Sequence, residues 1–315
     1  MAARFDSSLL HPELRTKFAR SNNPPVVHAW QRALLRSGMR LMPGAKPARG
    51  VTVERVSVPG GQVANVFTPS GFGADAPGPA LLWIHGGGLV IGSMAQDDAR
   101  CLDVAAELGI VVVSVEYRLA PEHPYPAPLD DCDAAWAWLQ SVAAARRIDP
   151  ARVAIGGQSA GGGLAAALVQ RIHDRGGVQP VAQWLFCPML DDRTAADRSL
   201  DAVGHVIWNN RSNRAGWGAY LGSAMGGADV PAEAAPARRI DLTGLPPAWI
   251  GAGDIELFFA EDRDYAERLA AAGVEVEWAV VPGAPHGFES MAGDTAVARS
   301  YVAGAQRWLA TQLGS

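Results

Sequence analysis

A serine stands in the run Gly157-Gln158-Ser159-Ala160-Gly161, between an apolar stretch and an alanine- and glycine-rich one. A strand that turns sharply into a helix would hold Ser159 in a strained conformation, and glycines two residues to either side let the flanking backbones pass closely. Its hydroxyl then stands exposed at a helix N-terminus, where the dipole favours a forming anion. That is the setting of a nucleophile, and a plain glycine-rich turn is the weaker reading. A second run, His85-Gly86-Gly87-Gly88, ends another apolar stretch. Successive glycines present N–H groups with no side chains in the way, which makes a cradle for a negatively charged oxygen. No Gly-Lys-Ser/Thr follows, so a phosphate loop is rejected. His85 itself reads as structural. A third motif, His286-Gly287-Phe288, follows "PGAP" in a loop and offers a general base. The stretch "GAGDIELFFAED" (251–262) supplies the carboxylates that could orient it: Asp254, Glu256, Glu261 and Asp262.

The elements that must position these groups follow from periodicity. "VTVERVSV" (51–58) and "QVANVF" (62–67) alternate as strands around the turn Pro59-Gly60-Gly61. Further strands are expected at 80–85, 110–117, 152–157, 181–186, 247–253 and 274–281. Helical stretches near 96–108, 129–146, 160–174, 260–272 and 292–312 separate most of them. Continuous β-branched runs alternating with helices predict an α/β fold, a mostly parallel sheet covered on both faces with an antiparallel edge. Residues 7–42 read as helical, with Val27, Trp30, Leu34 and Leu41 on one face. Such a stripe is expected to be buried. Sixty residues separate Phe186 from Pro247, more than a crossover needs. This segment is expected to be an insertion packed over one end of the sheet, together with the N-terminal helices.

Composition narrows the function. The chain has 315 residues, 49% hydrophobic and 19% charged, as an ordered globular protein should. With 27 basic and 32 acidic residues the net charge is −5, and no basic stripe invites nucleic acid. Cys101, Cys132 and Cys187 are scattered, which argues against a disulfide framework and a zinc site. The polar N-terminus lacks the apolar core of a signal peptide, and no run is long enough to span a membrane. A cytoplasmic location is therefore expected, with no membrane partner. Nothing in the sequence fixes the oligomeric state, and a homodimer stays open.

Together, His85-Gly-Gly-Gly, "EYRLAPEHPYPAPLDD" (116–131), the "GxSAGG" around Ser159 and "HGF" at 286–288 resemble the bacterial hormone-sensitive-lipase family of carboxylesterases. The similarity runs from roughly residue 50 to 310. It implies an eight-stranded α/β-hydrolase core (51–315) with a helical cap built from residues 1–50 and an insertion at about 190–240. It implies hydrolysis of short-to-medium acyl esters of small molecules, with no metal or organic cofactor, and an oxyanion hole from the N–H groups of Gly87, Gly88 and Ala160. In this fold the triad runs nucleophile, acid, histidine along the chain. Of the seven histidines only His173, His205 and His286 follow Ser159, and only His286 also follows the acidic cluster.

The acid is less plain. Glu261 and Asp262 fall at a helix start, where its dipole suffices to explain them. Asp254 and Glu256, two apart, face the same side of an extended segment, so periodicity cannot choose between them. The family's acid usually stands nine residues before a Tyr-Ala pair, which here is Tyr265-Ala266 and points to Glu256. Asp254 would then brace the loop. Where the family commonly has an acidic residue before the serine, this chain has Gln158, expected to tune rather than abolish activity. Leu89 and Val90 are expected near the acyl group. Trp208, Trp217 and Tyr220 either line the substrate pocket or pack within the cap. An amidase or lactonase would use the same machinery. A non-catalytic ligand-binding protein on this fold should have lost a triad member, and Ser159 and His286 both stand.

Overall fold

The eight strand-like runs form the eight strands of one sheet in the computed structural model, which describes residues 5–19 and 26–315. In chain order these are β1 (Val51–Ser57), β2 (Val63–Pro69), β3 (Gly78–Ile84), β4 (Val111–Val115), β5 (Ile148–Gln158), β6 (Gln183–Phe186), β7 (Ala248–Gly253) and β8 (Val276–Val281). Their spatial order is β1-β2-β4-β3-β5-β6-β7-β8. β2 is antiparallel to both β1 and β4, and every later pair is parallel. The antiparallel edge is the expected hairpin.

The helices are α1 (Arg15–Phe18), α2 (Ala29–Arg40), α3 (Asp98–Leu108), α4 (Ala127–Val142), α5 (Ala160–Arg175), α6 (Asp192–Ala196), α7 (Asn210–Leu221), α8 (Phe259–Ala271), α9 (Phe288–Met291) and α10 (Ala296–Leu313). Side chains alternate across a strand, so each central strand feeds two cores. In β3, Ala80, Leu82 and Ile84 join one core, and Leu81 and Trp83 the other. The first core lies under α4, α5 and α8; the second lies under α3 and α10, around Trp83, Trp184, Phe186 and Trp249. Strands β4, β6 and β7 are buried along their whole length. That is why they read as unbroken apolar runs. No helix among the described residues is long and apolar enough to cross a membrane.

The N-terminal segment departs from expectation. It holds short 3-10 turns at Ser7–Leu9 and Pro12–Leu14, then α1 and α2. Residues 20–25 of the expected helical stretch lie outside the described residues. The stripe on α2 is not buried: Trp30 and Leu34 are 65% and 66% exposed, and Leu41 is 84% exposed. Instead α2 docks through its other face. Arg36 donates to the carbonyls of Val90 (2.8 Å) and Ala120 (2.6 Å) and pairs with Glu122. Gly92 N–H meets Met39 Sδ, and Val26 N–H donates to Ser212 Oγ at the head of α7. Directed bonds to loop carbonyls hold α2, not its apolar stripe.

Candidate active site

β5 runs straight into α5, and Ser159 is the residue between them. Its backbone sits at φ 57°, ψ −122°, a region that non-glycine residues rarely occupy. Such strain persists only where the surroundings over-determine it. Here the Ser159 N–H donates to Phe186 O, and Ser159 O accepts from the N–H groups of Gly163 and Met189. Gly161 is forced by proximity: a Cβ there would stand 2.1 Å from the Ile84 carbonyl oxygen. The short crossing of β3 and α5 therefore requires glycine.

His286 arrives from the loop after β8. Its Nε2 is 2.9 Å from Ser159 Oγ, and its Nδ1 is 2.8 Å from Glu256 Oε2. All three side chains are buried. With Nδ1–H donating to the carboxylate, Nε2 is left free to accept the serine proton. Phe258 packs edge-on against the imidazole, with ring centroids 5.2 Å apart. Asp254 is brought elsewhere. It is exposed, and its Oδ1 accepts from the Gly283 N–H at 2.6 Å in the loop leading to His286.

Glu261 and Asp262 correct the sequence reading. They stand in the first turn of α8, as expected, but both are buried, Asp262 completely. Glu261 Oε1 accepts from the N–H groups of Leu190 and Asp191 at 2.7 and 3.1 Å, which ties down the start of the insertion. Burial pushes its carboxyl well above the usual range, with those N–H groups pulling the other way.

The glycine run lies against the elbow, since a Cβ on Gly86 would come 3.4 Å from Ser159 Cβ. His85 is fully buried, stacked on Tyr117 at 4.2 Å, with Nδ1 2.8 Å from Gly86 O. It holds the loop. Among the described residues, the N–H groups of Gly87, Gly88 and Ala160 engage no acceptor. Trp208 covers the loop so closely that a Cβ on Gly88 would meet its ring at 2.2 Å. Gly216 of α7 sits on the Gly88 carbonyl in the same way. Leu89 and Val90 are buried beside it. Trp217 and Tyr220 close, with Leu89, Ala160 and Met189, a cavity of about 10 Å³. That is space for one water at most.

Sequence reasoning missed the partners of Gln158 behind Ser159. Gln158 Nε2 donates to Glu289 Oε1 and to Ser290 Oγ (2.9 Å), and Arg100 donates to the same two residues at 3.2 and 2.8 Å. The Arg100 guanidinium also lies over Trp83 and Phe186. It missed His205 too, set aside by chain order. His205 is half-buried with no partner on Nδ1, and burial, then the nearby His286, lowers its pKa to about 4. Cys187 lies under the histidine loop, but burial pushes its thiol well up, which makes it inert. Only adjacency in space could have joined Glu289, Ser290 and Arg100 to Gln158.

An eight-stranded α/β sheet with a serine at the turn after β5 and a histidine after β8 defines a class. A family model described as the alpha/beta hydrolase fold matches residues 81–290, and the chain belongs to that family, among its hormone-sensitive-lipase-like esterases. It is an ester hydrolase. Among its relatives, the carboxylic ester hydrolase LipN of Mycobacterium tuberculosis is 37% identical over 82% of this chain and 69% of its own. The carboxylesterase NlhH of the same organism is 39% identical over 68% of this chain and 67% of its own. The solved structure titled Bacterial Heroin Esterase superposes with a TM-score of 0.89 at 37% identity, covering 98% of this chain and 99% of that one. Esterase LipW from Mycobacterium marinum gives 0.86 at 31% identity, covering 99% and 98%.

Proposed function

We propose that this enzyme hydrolyses short-to-medium acyl esters through a Ser159–His286–Glu256 triad and an acyl-enzyme. The observation that carries the reading is the unbroken run of contacts from Ser159 Oγ through His286 to Glu256 Oε2, at 2.9 and 2.8 Å. In this mechanism Ser159 Oγ attacks the ester carbonyl carbon as His286 Nε2 takes its proton. His286 then gives that proton to the leaving alcohol, and water cleaves the acyl-enzyme by the same route. Glu256 holds the imidazole tautomer and stabilises the imidazolium. The tetrahedral oxyanion is received by the N–H groups of Gly87, Gly88 and Ala160, a role supported by their lack of other acceptors among the described residues.

The N-terminal segment (1–50) and the insertion (190–240) serve as a cap over this site. Support comes from Trp208 and Gly216 resting on Gly88, and from Arg36 gripping the carbonyl of Val90. Leu89, Val90 and Trp208 border the acyl group, with Trp217 and Tyr220 limiting depth behind it. Large aromatics that close off the depth behind the site favour acyl chains of about two to eight carbons over long ones. The relatives' names speak for ester rather than amide cleavage.

The test is Ser159→Ala on p-nitrophenyl esters from acetyl to dodecanoyl, with labelling by an alkyl phosphonate. Hydrolysis should drop about 10⁴-fold, and the phosphonate adduct on the 159-containing peptide should vanish. A variant keeping a tenth of wild-type activity, with contaminating esterase excluded, would remove Ser159 from the mechanism. A wild-type protein that turns over no ester would instead be a binding protein on this fold.

A further inference from the structure

Glu256 reaches His286 with one oxygen, Oε2. Its other oxygen, Oε1, is buried and has no hydrogen-bond donor among the described residues. Asp262, on the first turn of α8, is completely buried, and neither of its carboxyl oxygens has a donor either. These two stranded groups are the same problem seen from both ends, because the Asp262 carboxyl faces that of Glu256 within hydrogen-bonding reach. The other ionisable groups around Asp262 are Glu261, Cys187 and Tyr301. None of them brings a positive charge.

Two facing carboxyls cannot both ionise in such a place. A buried charge without a partner is costly, and two like charges in contact more so. One proton must therefore sit between them. Glu256 already has a donor in His286 Nδ1–H and needs its charge to face an imidazolium. Asp262 has no donor among the described residues. The proton belongs to Asp262, where burial first, then the charges of Glu256 and Glu261, favour the neutral acid.

We propose that Asp262 is a positioning residue of this site: its protonated carboxyl donates to Glu256 Oε1 and keeps Oε2 turned toward His286. The assignment rests on the reading of Glu256 as the triad acid. It gives the longer side chain a physical anchor. Glutamate has one more rotatable bond than aspartate, so a carboxylate held by one oxygen alone can swing away from the imidazole. Bonds to both oxygens fix it. A neutral Asp262 also keeps the pair at one negative charge.

Two substitutions and two readouts separate this from a packing role. Asp262→Asn keeps a donor and stays neutral; Asp262→Ala removes the donor. The loss of a hydrogen bond to a charged group should lower kcat about tenfold to hundredfold in Asp262→Ala, with KM little changed. Asp262→Asn should restore most of it. The acid limb of the kcat/KM profile should coincide for wild type and Asp262→Asn, within about 0.2 pH unit, because no charge is lost. The infrared difference spectrum of wild type against Asp262→Asn, at neutral pH, should show one protonated-carboxyl C=O band. That band does not depend on activity, so it reports even where Asp262→Ala does not fold. Absence of the band, or an acid limb displaced in Asp262→Asn, would mean an ionised Asp262 and overturn the proposal. So would an Asp262→Asn as slow as Asp262→Ala. Full activity in Glu256→Gln would instead defeat the triad reading, and leaves the infrared result standing on its own.

Discussion

Gln158 and Glu289 meet directly behind Ser159, Gln158 Nε2 donating to Glu289 Oε1 at 2.5 Å. The residue before the serine is thus bonded to the third residue after the histidine, and the pair ties the elbow to the histidine loop. Arg100 pairs with the same Glu289 oxygen, at 3.2 Å.

This contact explains how the chain accommodates glutamine at a position where an acid is common. An aspartate at 158 would face the Glu289 carboxylate with no N–H to offer it. Gln158→Asp should therefore lose about 1–3 kcal/mol in urea unfolding, the cost of an unsatisfied buried group. Adding Glu289→Gln should recover part of the loss by restoring a donor. Equal stability of wild type and Gln158→Asp at neutral pH would show that the contact is dispensable.

The two acids of the strand-end loop should separate sharply in kinetics. Glu256→Gln favours the wrong imidazole tautomer and should lower kcat by a factor on the order of 10⁴, as in the protease precedent. Asp254→Asn loses only the acceptor for Gly283 N–H and should cost about tenfold or less. The reverse order would make Asp254 the acid.

Acid should weaken the fold through His205. Burial lowers its folded pKa to about 4, below the 6.5 of an unperturbed histidine. As pH falls through that window the unfolded chain takes the proton first, so stability is lost between the two values and is unaffected above them. His205→Gln removes the effect. The variant should gain about 2 kcal/mol relative to wild type between pH 8 and pH 5. Parallel unfolding curves at both pH values would show that His205 is free to ionise.

α2 should respond to polar, not apolar, substitutions. Trp30→Ser with Leu34→Ser removes only exposed groups, and stability should stay within about 0.5 kcal/mol. Arg36→Ala strips donors from two loop carbonyls and a carboxylate, and should cost about 1–3 kcal/mol. Differential scanning calorimetry of the two variants decides it, and a large loss in the serine double variant would mean that the stripe is covered in solution.

The sequence by itself determined the sheet, because alternation along a strand and the change to helical spacing are properties of neighbouring residues. It also singled out Ser159, the glycine run and His286, because a sharp strand-to-helix turn and an N–H cradle have local requirements that glycine meets. Periodicity could not choose the carboxylate that meets His286; the family register before Tyr265-Ala266 pointed to Glu256, and the contact itself is made by tertiary structure. Asp254 and Glu256 share one side of an extended segment, and only the returning loop after β8 brings Oε2 of Glu256 to the ring. Gln158 and Glu289, 131 residues apart, meet only because the histidine loop after β8 carries α9 to the end of β5. The first turn of α8 looked like an ordinary acidic helix start. Its burial came from the insertion's first residues, which place N–H groups on Glu261, and from Glu256, which faces Asp262. On α2 the apolar stripe pointed the wrong way for the same reason. Periodicity finds the apolar face of a helix, but which face docks was set by loop carbonyls far away in the chain, and those carbonyls took Arg36.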